Sequence, residues 1–196
     1  RGTQVLTGQR IESLRPDAAR WRLNGEPFDA VIWATSASES ARTLMECAQA
    51  APELIARSLR DWAATTAALH FEAIATVYTW SPQARLPHAM LALRSTAQAP
   101  AQFVFDRGQL DGPAGLLAFA VSASQGSREE LQSAVLAQAQ TQLATLNLGP
   151  LQVVQTVVEK RATFACTPAL LRPRAHIAPC LIAVGHYVDG PYPATL

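Results

Sequence analysis

Strong charge is the first thing this sequence lacks. Only 16% of its 196 residues are charged, and 16 Lys and Arg nearly cancel 15 Asp and Glu. The charges are also scattered, so no basic patch or acidic run offers a footprint for nucleic acid or an anionic surface. A nucleic-acid partner is therefore not expected. Cysteine is scarce as well: Cys47, Cys166 and Cys180 are an odd number with no CxxC pair, and no charged-then-apolar leader precedes them. That usage points to reduced thiols in a cytoplasmic protein rather than a disulfide framework. The longest strongly apolar stretch, 114–123, is too short to span a bilayer and reads as a buried strand.

Local signatures of self-contained catalysis are missing too. Gly108, Gly112 and Gly115 lack the GxGxxG spacing, and neither a P-loop nor a GxSxG elbow occurs. The four histidines, His70, His88, His176 and His186, are not at ligand spacing from one another or from a cysteine, so no metal is expected. Catalytic residues are not identifiable from motifs alone.

What is present is apolar material, 49% of the chain, enough for one sizeable core or one domain plus part of another. Residues 4–7, 10–14 and 20–23 read as short strands, and Asn24-Gly25 as a turn into a strand at 28–34. The run 30–34 is apolar on both faces, the pattern of a strand covered above and below. Thr35-Ser36 with Glu39 predicts a capping box opening a helix toward Cys47. A second helix is expected over 52–63, with Leu54, Ile55, Leu59 and Trp62 on one side. The period then becomes two. A strand over 68–80 places Leu69, Phe71, Ala73, Ala75 and Val77 on one face and His70, Glu72, Ile74, Thr76, Tyr78 and Trp80 on the other. Strands at 90–93, 102–105 and 116–122 suggest a largely antiparallel sheet.

The clearest helix spans 127–146. Ser127 and Glu130 form its capping box, and Leu131, Val135, Leu136, Ala139, Leu143 and Leu146 mark its buried stripe. Gly149-Pro150 stops it, a strand follows at 151–160, the Pro-rich 167–179 is irregular, and 180–184 is a last apolar strand. The fold class is α+β, a largely antiparallel mixed sheet with packed helices flanked by two strands of a different character.

Two segments carry a resemblance to a known family. FDAVIWAT, residues 28–35, and EKRATFACTPALLRPRAHIAPCLIAVGHYVDGPYPAT, residues 159–195, resemble the squalene-associated FAD-dependent desaturases, also called hydroxysqualene dehydroxylases, within the amine-oxidase and phytoene-desaturase superfamily. FVFDRG at 103–108 fits the same pattern, and the likeness covers nearly the whole chain. It implies FAD as cofactor, and a substrate-binding domain at 37–179 between stubs of a Rossmann-like FAD domain at 1–36 and 180–196. It also implies that reduced flavin delivers a hydride to hydroxysqualene, which loses its hydroxyl to give squalene. A carotenoid desaturase or another amine-oxidase-type flavoenzyme shares this fold. The other alternative is a non-catalytic module that binds an apolar ligand or a protein.

By the same resemblance, Ile11, Ala34, Thr35, Gly185, His186, Pro193, Ala194 and Thr195 would approach the cofactor. His186 stands where the family carries Asp; a neutral imidazole accepts a hydrogen bond, and a protonated one favours phosphate. Against these roles stand plainer ones: core packing for Ile11 and Ala34, helix capping for Thr35, and a strand-end position for His186. An isoprenoid substrate calls for an apolar, aromatic wall, for which Tyr78, Trp80, Phe103, Phe105 and Phe119 are the candidates, though aromatics on strands also serve as ordinary core. Asp106 and Arg107 are either polar anchors at the end of a tunnel with such a wall or an exposed turn pair, and the turn is the favoured reading. Peripheral membrane contact is one route to such a substrate. The glycine-rich pyrophosphate loop is not in this sequence, so the chain by itself is expected to bind FAD weakly or not at all, and open strand edges favour self-association.

Overall fold

A computed structural model describes residues 2–190 of the chain. It is α+β, with antiparallel ladders and three α-helices, and divides into two compact units: Arg1–His70 with Ala165–Leu196, and Phe71–Phe164.

In the first unit, β1 (Leu14–Asp17), β2 (Arg20–Leu23) and β3 (Glu26–Phe28) form an antiparallel three-stranded sheet. Asn24 and Gly25 both take positive φ in the β2–β3 turn, the conformation that Asn and Gly tolerate best. Asn24 also explains why 10–13 is not a strand. Its side-chain oxygen accepts from the Glu12 and Ser13 amides at 2.8 and 3.1 Å, and its amide donates to the Arg10 carbonyl at 2.9 Å. Those backbone groups are thus satisfied by one side chain instead of a ladder. Residues 4–7 form no strand either, and Val5 and Leu6 are exposed.

A second sheet orders β10 (His176–Ala178), β11 (Leu181–Ala183) and β4 (Val31–Trp33), with β11 parallel to β4 and antiparallel to β10. Val31, Trp33, Leu181 and Ala183 are buried, but Ile32 is 66% exposed, and so is its register partner Ile182 in part. Only one face is therefore covered among the described residues, where the apolar run predicts two. Helices α1 (Ala37–Ala48) and α2 (Glu53–Ala67) pack on each other in this unit. Ser36 is the N-cap residue of α1, but its side chain makes no capping bond; it lies 3.4 Å from the Ser38 hydroxyl, and Glu39 pairs with Arg42. The expected capping box at this helix does not form. Leu59 and Trp62 are buried as the spacing predicts, while Leu54 is exposed.

The second unit is a five-stranded antiparallel sheet in the order β6 (Met90–Ala92), β7 (Phe103–Asp106), β8 (Leu116–Ser122), β5 (Phe71–Trp80) and β9 (Gln152–Phe164). Helix α3 (Arg128–Gln142) belongs to the same unit. Here the capping box does form: the Ser127 hydroxyl accepts from the Glu130 amide at 3.2 Å, and the Glu130 carboxylate accepts from the Ser127 amide at 2.7 Å. Leu131, Val135, Ala139 and Leu143 join Ala75, Val77, Val104, Leu117, Phe119 and Val121 in one core cluster. Gln138, polar in sequence, is buried in the same stripe because its side chain staples a loop. It accepts from the Ala101 amide and donates to the carbonyls of Ala101 and Arg94. At Gly115 the backbone is left-handed, and a Cβ would run into the Ser81 carbonyl oxygen, so only glycine fits this turn beside the end of β5.

Candidate functional site

In an open sheet containing parallel strands, the carboxyl ends of neighbouring parallel strands form a crevice where ligands collect. Strands β4 and β11 are such neighbours, and the residues that follow them, Ala34-Thr35 and Gly185-His186, carry four of the expected cofactor contacts. A cavity of about 410 Å³ lies alongside β4, lined by Arg10, Ile11, Leu23, residues 31–35, Glu39, Arg42 and Thr43. It brings together Ile11, Ala34 and Thr35, three residues that sequence alone could connect only by resemblance. Ile11, Val31 and Ile32 give it apolar wall, while Arg42 bonds Glu39 and Glu46 at 2.9 and 2.8 Å and Arg10 reaches Glu39 at 4.0 Å. The hydrogen bonds from Arg42 to Glu39 and Glu46, and their charge, push its pKa up.

The GHY turn after β11 is fixed to the β4–α1 junction by a residue that sequence reasoning passed over. Tyr187 is 1% exposed. Its hydroxyl donates to the Thr35 carbonyl at 3.1 Å and lies 2.8 Å from the Ser40 hydroxyl, which in turn is 2.8 Å from the Thr35 hydroxyl. Burial pushes the phenol pKa up, against the opposing pull of Ser40. A Cβ at Gly185 would come within 2.8 Å of the Tyr187 ring, so the tyrosine demands glycine two residues before it. Trp62 packs edge-on against the same ring at 6.4 Å and donates to the Arg174 carbonyl at 2.7 Å. The exposed His186 ring also meets Tyr187 edge-on, at 5.8 Å. Arg172 then holds the end of the turn, donating to Asp189 and to the Gly190 carbonyl at 3.3 and 2.9 Å. Pro193, Ala194 and Thr195 lie outside the described residues.

In the second unit, strand register sorts the aromatic candidates. Directly opposed residues share a face, so Tyr78, Ala118, Phe105 and Met90 form one row across β5, β8, β7 and β6. Thr76, Ala120, Phe103 and Ala92 form the next. Ala118 and Ala120 are small floor positions between larger side chains, and the Phe103 and Phe105 rings lie 6.4 Å apart. Trp80 and Phe103 remain about two-fifths exposed, and the Trp80 indole donates to the Ala114 carbonyl at 3.1 Å. Phe119 is placed differently. It opposes Val77 and Val104 and is fully buried in the core cluster, on the face opposite Phe103 and Phe105.

Asp106 is not an exposed turn residue. It is 2% exposed, caps a single 3-10 turn at Arg107–Gln109, and braces the 86–89 loop. Among the described residues no cluster of three or more His, Cys, Asp or Glu could hold a metal ion, and no helix is long and apolar enough to cross a membrane. Cys47, Cys166 and Cys180 form no disulfide with one another, and burial pushes Cys47 up to about 11.

No protein-family model matches this sequence, and no curated protein matches it. Solved structures do share the fold. A provisional protoporphyrinogen oxidase of Exiguobacterium sp. 255-15 superposes over 94% of this chain with a TM-score of 0.58 at 16% identity. An oxidoreductase from Methanosarcina mazei superposes over 93% with a TM-score of 0.57 at 16% identity. A reduced UDP-galactopyranose mutase superposes over 80% with a TM-score of 0.54 at 13% identity. The chain spans 43%, 44% and 34% of those structures, less than half of each. Its fold is thus similar to a portion of larger proteins, two of them described as an oxidase and an oxidoreductase.

Proposed function

We propose that this chain is part of an FAD-dependent oxidoreductase that acts on an apolar isoprenoid, with reductive dehydroxylation of hydroxysqualene to squalene as the specific reaction. The observation that carries the reading is the cavity beside β4. Ile11 and the adjacent pair Ala34-Thr35, more than twenty positions further along the sequence, line one space at the carboxyl end of a parallel strand. The cavity offers apolar wall plus a hydroxyl and matched charges, which fits the sugar and ring portions of a dinucleotide. It does not fit the pyrophosphate, which needs a glycine-rich loop absent from this sequence. The uncovered Ile32 and Ile182 also support the reading, because paired parallel strands are ordinarily covered on both faces.

When bound, the flavin supplies the redox equivalents. The work of this chain is positional: Tyr187 holds the GHY turn against Thr35 and Ser40, and Gly185 leaves room for the tyrosine ring. For an apolar substrate, Tyr78, Trp80, Phe103 and Phe105 provide a wall over a floor of Ala118 and Ala120. Such a wall excludes water and offers little hydrogen bonding. Phe119 supports that wall from the covered side of the sheet. Division into a substrate-binding domain at 37–179 and FAD-domain stubs at 1–36 and 180–196 belongs to the same proposal, as does peripheral contact with a membrane that dissolves the substrate.

The test is product analysis: the protein in its full genomic length, with FAD and a reductant, is given hydroxysqualene and the hydrocarbon extract is identified. Squalene supports the reading. Desaturation of a carotenoid precursor in its place keeps the flavoenzyme and changes the substrate, and no turnover of either leaves the aromatic face as an apolar-ligand module.

A further inference from the structure

The Thr35, Ser40 and Tyr187 hydroxyls share three contacts with one carbonyl, and counting protons fixes the direction of every bond. The Thr35 carbonyl can only accept, so the single Tyr187 proton goes to it, at 3.1 Å. The Tyr187 oxygen must then accept from Ser40 across 2.8 Å. Having given its proton away, Ser40 accepts from the Thr35 hydroxyl, again across 2.8 Å. Three hydroxyl protons fill three bonds and the ring closes on Thr35 itself. Ser40 and Tyr187 are 0% and 1% exposed, so water cannot replace either at the bond between them; Thr35 is the exposed member of the three. A reversed proton at any step would leave two oxygens facing each other without a hydrogen, with buried Ser40 or Tyr187 always one of the pair, and that is costly.

Thr35 alone of the three lines the cavity beside β4. We infer that the buried Ser40–Tyr187 pair makes Thr35 a hydroxyl that can only accept at the cavity, selecting a ligand group that donates, such as a ribose hydroxyl, over an ether, carbonyl or phosphate oxygen. The inference rests on the functional reading above and deepens it: Tyr187 is a positioning residue that sets the polarity of a cofactor contact from behind. It also gives the GHY turn a chemical link to the β4 end, since loss of the phenol hydroxyl alone releases the Thr35 proton.

The test is an NMR titration of the chain with two uncharged probes, adenosine and 2′,3′-di-O-methyladenosine, which share the 5′-hydroxyl but differ in that the 2′ and 3′ oxygens of the ether can only accept. Shifts of the Ile11 and Val31 methyl groups and of Ala34 report the site. Adenosine is expected to bind about 3–10-fold more tightly than its dimethyl ether, the worth of one net hydrogen bond. In Tyr187→Phe and, independently, in Ser40→Ala, Thr35 regains a proton to donate and that ratio falls toward one. In Thr35→Val it is lost outright. A ratio of one in the unaltered chain overturns the inference while leaving the cavity as the cofactor site. A ratio that persists unchanged in both Tyr187→Phe and Ser40→Ala assigns it to methyl bulk and also overturns the inference. Absence of binding by either probe overturns the functional reading of the cavity, and the ligand assignment with it.

Discussion

Asp106 provides the sharpest test of how the second unit is held. Its Oδ2 accepts from the Leu86 amide at 3.0 Å and the Gln109 side-chain amide at 2.8 Å, and its Oδ1 accepts from the Gly108 amide at 3.0 Å. Replacement by Asn keeps the shape but puts an NH2 group where one oxygen was. Whichever way the amide turns, at least one N–H then faces another, and an orphaned donor of this kind costs about 1–3 kcal/mol. Asp106→Ala leaves all three donors without their partner. Gln109 can rotate toward solvent but the Leu86 amide cannot, so the cost rises to about 2–4 kcal/mol. Burial pushes the Asp106 carboxyl up, but the bonds from the Gln109 side chain and the Leu86, Gly108 and Gln109 backbone amides together pull it below the ordinary value. A carboxyl depressed in the folded state adds stability above its unfolded pKa of about 3.9, and that stability is lost as pH falls through the lower folded value. Urea midpoints of the chain and of Asp106→Asn should therefore differ at neutral pH and converge as pH falls below about 4. Equal midpoints at neutral pH, or a gap unchanged through the acid range, would refute the buried-brace assignment.

Other perturbations follow from the same contacts. Phe119→Ala should cost about 3–5 kcal/mol as a core deletion, whereas Phe103→Ala, on the half-exposed face, should cost far less; denaturant titration of both checks the face assignment, and equal losses would contradict it. Ser127→Ala removes one arm of the only capping box formed among the described helices and should cost about 1 kcal/mol, read as a shift in thermal midpoint. Gly185→Ala forces a Cβ to 2.8 Å from the Tyr187 ring, so ring and turn must separate; weaker protection of the Val188 amide, bonded to the Gly185 carbonyl at 3.1 Å, is the expected hydrogen-exchange result.

The fold was legible where a pattern is local and repeated. The alternation along β5, the exact span of β8 and the stripe of α3 all emerge from period alone, because each burial surface is formed by residues two or three to four positions apart. It was illegible where one side chain substitutes for a partner strand. Nothing in the spacing of 10–14 reveals that Asn24 satisfies its backbone, and nothing at Ser36 reveals that Glu39 pairs with Arg42. The same reason governs the site. Ile11, Ala34 and Thr35 could be grouped only through a resemblance, since the cavity that unites them depends on β4, α1 and the 10–13 segment meeting in space. Tyr187 carries no signal in its own segment, because its partners, Ser40 and Thr35, are about 150 positions away. Phe119 was grouped with Phe103 and Phe105 as an aromatic, although alternation between adjacent strands can place equally hydrophobic residues on opposite faces.

The central claim is that the cavity beside β4 belongs to a flavin site, and the most direct test is the visible absorbance of the protein purified in its full genomic length. The account predicts a yellow protein with one FAD per chain, from which Thr35→Val releases flavin more readily on dialysis than the unaltered protein does. A colourless protein that takes up no FAD on addition would contradict it and leave the aromatic sheet face of the second unit as the functional surface.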